Sequence, residues 1–310
     1  MWTKPYGMKE GFLIGGGLII AGVMLQLSAG PVDWDVFRWP VNGIVLAGFL
    51  ALIATIFLLR KKMYGFQFIG TYKTAIPALV YAVVLTIIMG LMRQTVDGTW
   101  LNNMLSFWPF VLIYVYIAVI LGQIILRRII NCQLSIINLK RDIPFLLNHL
   151  GLFLAMTTAT LGNADMQRLK MITVKGEPEW RALTSQQQIV EMPIAIELKE
   201  FIMETYDDGS PRRFASDIIV TPRNSLTSNH SPLTSNIVAT VEVNKPVEVE
   251  GWKIYQYGYD TQMGAMSQYS ILELVSDPWL PLVYTGIYMM LAGAVCLFAF
   301  GKKTKLIIDN

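Results

Sequence analysis

The chain is poor in the residues from which soluble catalytic and metal sites are usually built. Its two cysteines, Cys132 and Cys296, form no CxxC pair. That excludes a disulfide-rich scaffold, a dithiol redox motif and a cysteine-built zinc or iron–sulfur site. Two histidines, His149 and His230, leave little material for a protein-only metal cage. Charge is also scarce: 15% of residues are Asp, Glu, Lys or Arg, against about 25% in an ordinary soluble domain. The net charge of +3 is small and its basic residues are scattered, so nucleic acid is not an expected partner. What the sequence does have is apolar residues, 54% of 310. A membrane protein with an attached polar domain is what remains.

A helix needs about 20 mostly apolar residues to cross about 30 Å of hydrocarbon. Six segments qualify: Gly11 to Ser28, Val41 to Leu59, Thr74 to Leu91, Phe107 to Leu126, Pro144 to Leu161 and Leu280 to Phe300. Short loops join the first five, and a long polar stretch separates the fifth from the sixth. Lys and Arg in the short loops orient the chain. One side receives Lys4, Lys9, Arg60, Lys61, Lys62, Lys73, Arg127, Arg128, Lys140, Arg141, Lys302, Lys303 and Lys305; the other receives Arg38 and Arg93. Both termini are therefore expected in the cytoplasm, and the polar stretch outside. Trp34, Trp39, Trp100, Trp108 and Trp279 fall at the outer interface, where aromatic belts sit. Leu27-Ser28-Ala29 is a weak signal-peptidase site after an apolar run long for a signal peptide, so an uncleaved anchor is expected.

From Gly162 to Asp277 continuous apolar runs give way to alternation. Lys170–Val174, Ile194–Leu198, Ile237–Val243, Trp252–Tyr257 and Ser270–Val275 have period two, which predicts strands. Breakers at Asp207-Asp208-Gly209-Ser210-Pro211, Asn244-Lys245-Pro246 and Glu250-Gly251 predict turns. The expected fold is an α-helical polytopic membrane protein of about six spans, with an extracytoplasmic antiparallel all-β domain inserted before the last. Residues 1–161 would form five helices, 162–278 the β domain, and 279–310 the final helix and a cytoplasmic tail. The β domain should be a sandwich or open barrel with at most one short helix, near Ser185 to Val190. Thr221 to Asn236, rich in Ser, Thr, Asn and Pro, reads as a long loop. Asn244 to Tyr259 should form paired strands.

His149 is the informative residue. It lies about five residues into the fifth span, roughly 8 Å below the cytoplasmic boundary. An ionisable side chain at that depth is costly and points to function. A neutral imidazole can ligate haem iron in an apolar pocket; it can equally be a packing histidine bonded to a carbonyl or a hydroxyl. His230, in Ser228-Asn229-His230-Ser231-Pro232, reads as an incidental loop histidine. Asp207-Asp208 suits a turn, and Glu197, Glu200 and Glu204 read as solvent-facing. Gly15-Gly16-Gly17 lies in a span, where small residues let helices approach closely. No nucleophile–base pair or phosphate loop supports a hydrolase or transferase.

Several stretches, taken together, resemble the ResB family, the B component of System II cytochrome c maturation. They are His149 with Leu150-Gly151-Leu152-Phe153-Leu154; Phe201 through Tyr206-Asp207-Asp208-Gly209-Ser210-Pro211 to Phe214-Ala215-Ser216; Asn244-Lys245-Pro246 with Gly251, Ile254-Tyr255-Gln256 and Tyr259; and Asp277-Pro278 with Tyr284, Gly286 and Gly293. The resemblance runs from about residue 145 to 300. It departs from the usual B component, which has three spans before a larger external domain; five are counted here. The first four spans match nothing nameable. The tryptophan-rich segment and external histidines of the CcsA partner are absent, so the fused protein is not expected.

The resemblance implies a non-catalytic membrane subunit of a haem delivery and cytochrome c assembly complex in the bacterial inner membrane. His149 would be an axial ligand to a transient b-type haem, shared with a CcsA/ResC-like partner, and apocytochrome c would be the recipient. The alternative is a haem-b-binding or scaffold subunit of a respiratory reductase, which two membrane histidines in one chain would favour; here there is one. A secondary transporter would show inverted repeats and broken spans, and corresponding segments are not evident.

Overall fold

The structure is a computed structural model, describing residues 4–95, 98, 100–131, 136–222 and 236–300. It divides into two compact units: Met1–Ala164 with Trp279–Asn310, and Asp165–Pro278.

The first unit is helical. Its elements are α1 (Met8–Ala29), α2 (Val41–Leu59), α3 (Tyr64–Ile69), α4 (Tyr72–Leu91), α5 (Trp108–Ile130), α6 (Ile136–Gly162) and α7 (Leu280–Phe300). Six of the helices are long and apolar enough to cross a membrane. Long apolar runs form helices because each backbone donor and acceptor is then satisfied within its own segment. Pro109 opens α5, where its missing N–H costs nothing. The connections meet in two groups. At one end Val32 donates to the Ser106 carbonyl (2.8 Å), and the Trp108 indole to Gly30 (2.9 Å). These bonds tie the α1–α2 turn to the α4–α5 turn. At the other end Arg127 reaches across to the carbonyls of Gly70 and Gln67. The basic clusters around Arg60, Lys73 and Arg127 thus share an end of the unit.

The helices run past several of the expected span limits, most of all at the start of α6. The fifth long helix starts at Ile136, not Pro144, and Pro144 lies inside it. Asp142, 2% exposed, is tolerated there because it pairs with Arg128 of α5; a buried carboxylate needs such a partner. α6 and α7 pack tightly. A methyl group on Gly151 would come 2.6 Å from the Gly286 carbonyl oxygen, and one on Gly286 equally close to that of Gly151. Hydrogen is the only substituent these positions accept. Gly15, likewise, is buried against Tyr81 of α4, whereas Gly17 touches nothing.

The second unit is one antiparallel sheet of eight strands: β1 (Gln167–Val174), β2 (Pro178–Leu183), β3 (Ile189–Thr205), β4 (Pro211–Pro222), β5 (Ile237–Glu242), β6 (Val247–Val249), β7 (Trp252–Tyr259) and β8 (Tyr269–Ser276). Their order is β5-β4-β3-β2-β1-β8-β7-β6. β1 and β8 pair over their full length, from Gln167↔Ser276 to Val174↔Tyr269, so the two chain ends of the unit leave side by side. The sheet is curled: Ser216 on β4 hydrogen-bonds Gln256 on β7 (2.5 Å), although the two strands are far apart in the ladder. Inward residues such as Ile194, Ile196, Leu198, Ile254 and Leu272 are fully buried in a single core. β6 and β7 join in the hairpin expected for Asn244 to Tyr259. Glu250 and Gly251 supply its two-residue turn with φ of 52° and 78°, as a type I′ turn demands.

Three strands, β2, β4 and β6, had no alternation signal. No helix occurs at Ser185 to Val190. That stretch is the β2–β3 turn, closed by Gln187 N–H to Thr184 (3.0 Å), with Gln187 at φ 61°. A short 3-10 turn lies at Gly264–Met266. The long loop expected from Thr221 to Asn236 falls, over 223–235, outside the described residues, and His230 with it.

Candidate functional site

His149 sits on α6, one turn after Phe145. Its Nδ1 lies 2.8 Å from the Phe145 carbonyl oxygen. A carbonyl can only accept, so Nδ1 carries the proton, and in the neutral ring Nε2 keeps its lone pair. A ligating histidine is commonly arranged in this way: one nitrogen anchored by a backbone carbonyl, the other offered to a metal. Among the described residues the imidazole makes no hydrogen bond to another helix. The ring is half-buried and stacks on the Phe145 side chain, with centroids 3.9 Å apart and planes 21° apart.

Phe145 connects the imidazole to charge. The Arg128 guanidinium lies over its ring, 5.0 Å from the centroid, and Arg128 is paired with Asp142. Asp142 and Phe145 on α6 are therefore joined to Arg128 on α5 at the tip of the α5–α6 hairpin, one to two turns from His149. The sequence marked Arg127 and Arg128 only as orientation signals. Their place in the site depends on the hairpin, which no local pattern reveals. Leu150 and Leu152, which follow His149 in the chain, are 38% and 39% exposed; Phe153, 9% exposed, stacks on Phe49 of α2.

The other singled-out stretches meet inside the sheet. Tyr259 stacks on both Phe201 (4.8 Å) and Phe214 (5.1 Å). Ser216, Gln256 and Ser270 form a buried hydrogen-bonded group, and Thr173 donates to the Ser270 carbonyl. Tyr206 to Ser210 close the β3–β4 hairpin: Tyr206 donates to Ser210 (2.8 Å), Asp208 accepts from Ser210, and Gly209 has φ 83°. Asp208 is a turn residue, its carboxyl held below the usual range by the Ser210 hydroxyl. Glu204 and Glu242 both pair with Arg213. Among the described residues no three His, Cys, Asp or Glu side chains gather to hold a metal. A single imidazole suits a metal whose remaining ligands come from elsewhere, as they do in haem.

The ResB-like family matches residues 141–267. This segment is similar to that family. It takes in His149, the β3–β4 hairpin and the Asn244–Tyr259 hairpin, and stops before the Tyr284, Gly286 and Gly293 stretch of α7. A curated relative, the cytochrome c biogenesis protein CcsB of Prochlorococcus marinus subsp. pastoris, is 26% identical over 166 residues. That alignment covers 52% of this chain and 35% of the relative, so the chain spans about a third of the protein it matches. A solved structure of the cytochrome c heme lyase CcmF aligns with 83% of this chain and 44% of its own, at 12% identity and a TM-score of 0.35. That score is too low to argue from.

Proposed function

We propose that this protein is a non-catalytic membrane subunit of a haem delivery and cytochrome c assembly complex. It would act in the bacterial inner membrane, with both termini cytoplasmic and residues 162–278 on the outer side. The observation that carries the reading is His149 within a ResB-like segment: a lone membrane imidazole whose Nδ1–H is bonded to the Phe145 carbonyl. Haem, as cargo, supplies an iron with open axial positions. His149 offers Nε2 to one of them, and a histidine from a CcsA/ResC-like partner would take the other. Phe145 restrains the imidazole plane by stacking, and the α6 backbone fixes its tautomer. The sheet presents β5 and β6 as its two edges, and either could take up an extended segment of apocytochrome c by adding a strand.

The test is His149→Gly in cells that depend on this protein. The variant should reach the membrane, lose co-purified haem and stop cytochrome c assembly. Added imidazole should restore both, because a free ligand fills the vacated position. Normal assembly by His149→Gly without imidazole would refute the ligand role. A haem that persists with two histidines of this complex bound and turns over electrons, with cytochrome c assembly intact, would favour the reductase-subunit reading.

A further inference from the structure

A cavity of about 300 Å³ is walled by Gly70, Arg127, Arg128, Asp142 and Phe145 among others; His149 does not line it but stacks on Phe145. The chemistry of the cavity is unusual for a helix bundle. Arg127 spends both terminal nitrogens on backbone carbonyls, Gly70 (2.9 Å) and Gln67 (2.6 Å), which leave its charge unneutralised. Arg128 spends one on Asp142. The Nε–H groups of both arginines are buried and, among the described residues, have no acceptor. Two guanidinium groups against one carboxylate leave the cavity lining with a net positive charge. Each terminal guanidinium nitrogen carries two N–H groups, so both arginines keep donors beyond these bonds, and a cavity lined by two guanidinium groups and one carboxylate favours an anion.

The cavity shares Phe145 with His149: the ring packs on the imidazole and under the Arg128 guanidinium. We infer that Arg127 and Arg128 form the anion-holding half of the His149 site and bind the carboxylates of the porphyrin whose iron His149 ligates. This rests on the haem reading of His149 and deepens it. Porphyrin carboxylates project from one edge of the macrocycle while the iron sits at its centre. A guanidinium over one aromatic side chain and an imidazole stacked on the same side chain suit such a molecule. Guanidinium is the appropriate cation, since it holds carboxylates through paired N–H donors and stays charged when partly buried.

The full-length protein in phosphatidylcholine nanodiscs can be titrated with haemin, haemin dimethyl ester and metal-free protoporphyrin IX. Wild type should bind haemin about tenfold or more tightly than the ester, the scale of one lost charge-assisted contact. Arg127→Gln, and Arg128→Gln combined with Asp142→Asn to avoid a stranded carboxylate, should weaken both acids about tenfold and leave the ester unchanged. Asp142→Asn alone frees Arg128 and should tighten both acids, a gain that a merely structural role would not give. His149→Gly should abolish the axial-ligand absorption bands, while protoporphyrin IX still requires the arginines. If the bands persist in wild type but the acid and ester bind equally, this inference fails and the ligand reading stands. If carboxylate dependence persists but the bands never form, the reverse holds. Retention of phosphatidylglycerol by wild type and not by the arginine variants, with that lipid excluding haemin, would make the cavity a lipid-phosphate site and overturn the proposal. Should an arginine variant fail to reach the membrane, Asp142→Asn and the acid–ester comparison decide without it.

Discussion

The two units spend their apolar residues in opposite ways. In the sheet Ile194, Ile196, Leu198, Ile254 and Leu272 are inside and fully buried. In the helical unit Ile20 is 65% exposed, Leu58 74% and Phe298 92%. A soluble unit with the second distribution would aggregate; a unit solvated by lipid needs it. The difference extends to what holds each unit together. The sheet is stabilised by removing hydrocarbon from water, whereas helices in lipid gain little from that and rely on close contact and hydrogen bonds. The Gly151–Gly286 crossing, the Arg128–Asp142 pair and the Gln123 side chain bonded to the Ile53 carbonyl (2.7 Å) are devices of the second kind.

The contrast can be tested at matched positions. Ile196→Ala in the sheet core should cost about 2–5 kcal/mol through the cavity it leaves, seen as loss of hydrogen-exchange protection across β2–β4 in the full chain. Ile20→Asp on α1 should cost about 2.5–3.5 kcal/mol of membrane insertion, measured by the fraction integrated. If α1 faced water instead, the same change would fall within about 0.5 kcal/mol, and the division of the molecule argued above would be wrong. Gly286→Leu should cost about 1–3 kcal/mol by forcing α6 and α7 apart. It should lower the melting temperature of the helical unit in detergent without altering exchange in the strands. The smallest effect belongs to the sheet surface. The Arg181 side chain, hydrogen-bonded to Glu179, draws that carboxyl down to about 2 from its usual 4.5. A carboxyl depressed on folding stabilises above the unfolded value and ceases to as pH falls through the folded one. Sheet stability should therefore be flat above about pH 5 and decline between about pH 4.5 and 2. Because Arg181 is exposed and solvent screens the pair, the decline should be only about one or two degrees in melting temperature. Glu179→Gln should remove that part of the pH dependence.

Much of this molecule is legible in its sequence, for reasons that differ by region. The six spans follow from run length alone, since a bilayer of fixed thickness sets a minimum that few other structures require. Five strands follow from alternation, which survives wherever one face is wet. β4 escapes notice because Ile218-Ile219-Val220 runs without alternation in a strand paired on both sides; β6, too short to show a period, follows instead from its place in the Asn244 to Tyr259 hairpin. The glutamines at 186 to 188 suit a helix locally, but a positive φ at Gln187 and the pairing of β2 with β3 turn them into a hairpin. The resemblance behaves similarly. Phe201, Phe214 and Ser216 in one stretch and Gln256 and Tyr259 in another look like separate motifs along the chain, and in space they are one stack and one hydrogen-bonded group.

By itself the sequence determined that the chain has six membrane-length helices, that a β-rich stretch interrupts them, and that one histidine lies within a span. These follow from composition, periodicity and length, each of which acts over neighbouring residues. Only the tertiary structure decided that Asp142 is a buried partner of Arg128, that Phe145 joins that pair to His149, that two arginines line a cavity, and that the sheet curls so that β4 reaches β7. Those features depend on which side chains the α5–α6 hairpin and the sheet's curvature bring within a few ångströms. Contacts between residues distant in the chain have no periodic signature in sequence, because what selects them is the closing of the fold around them.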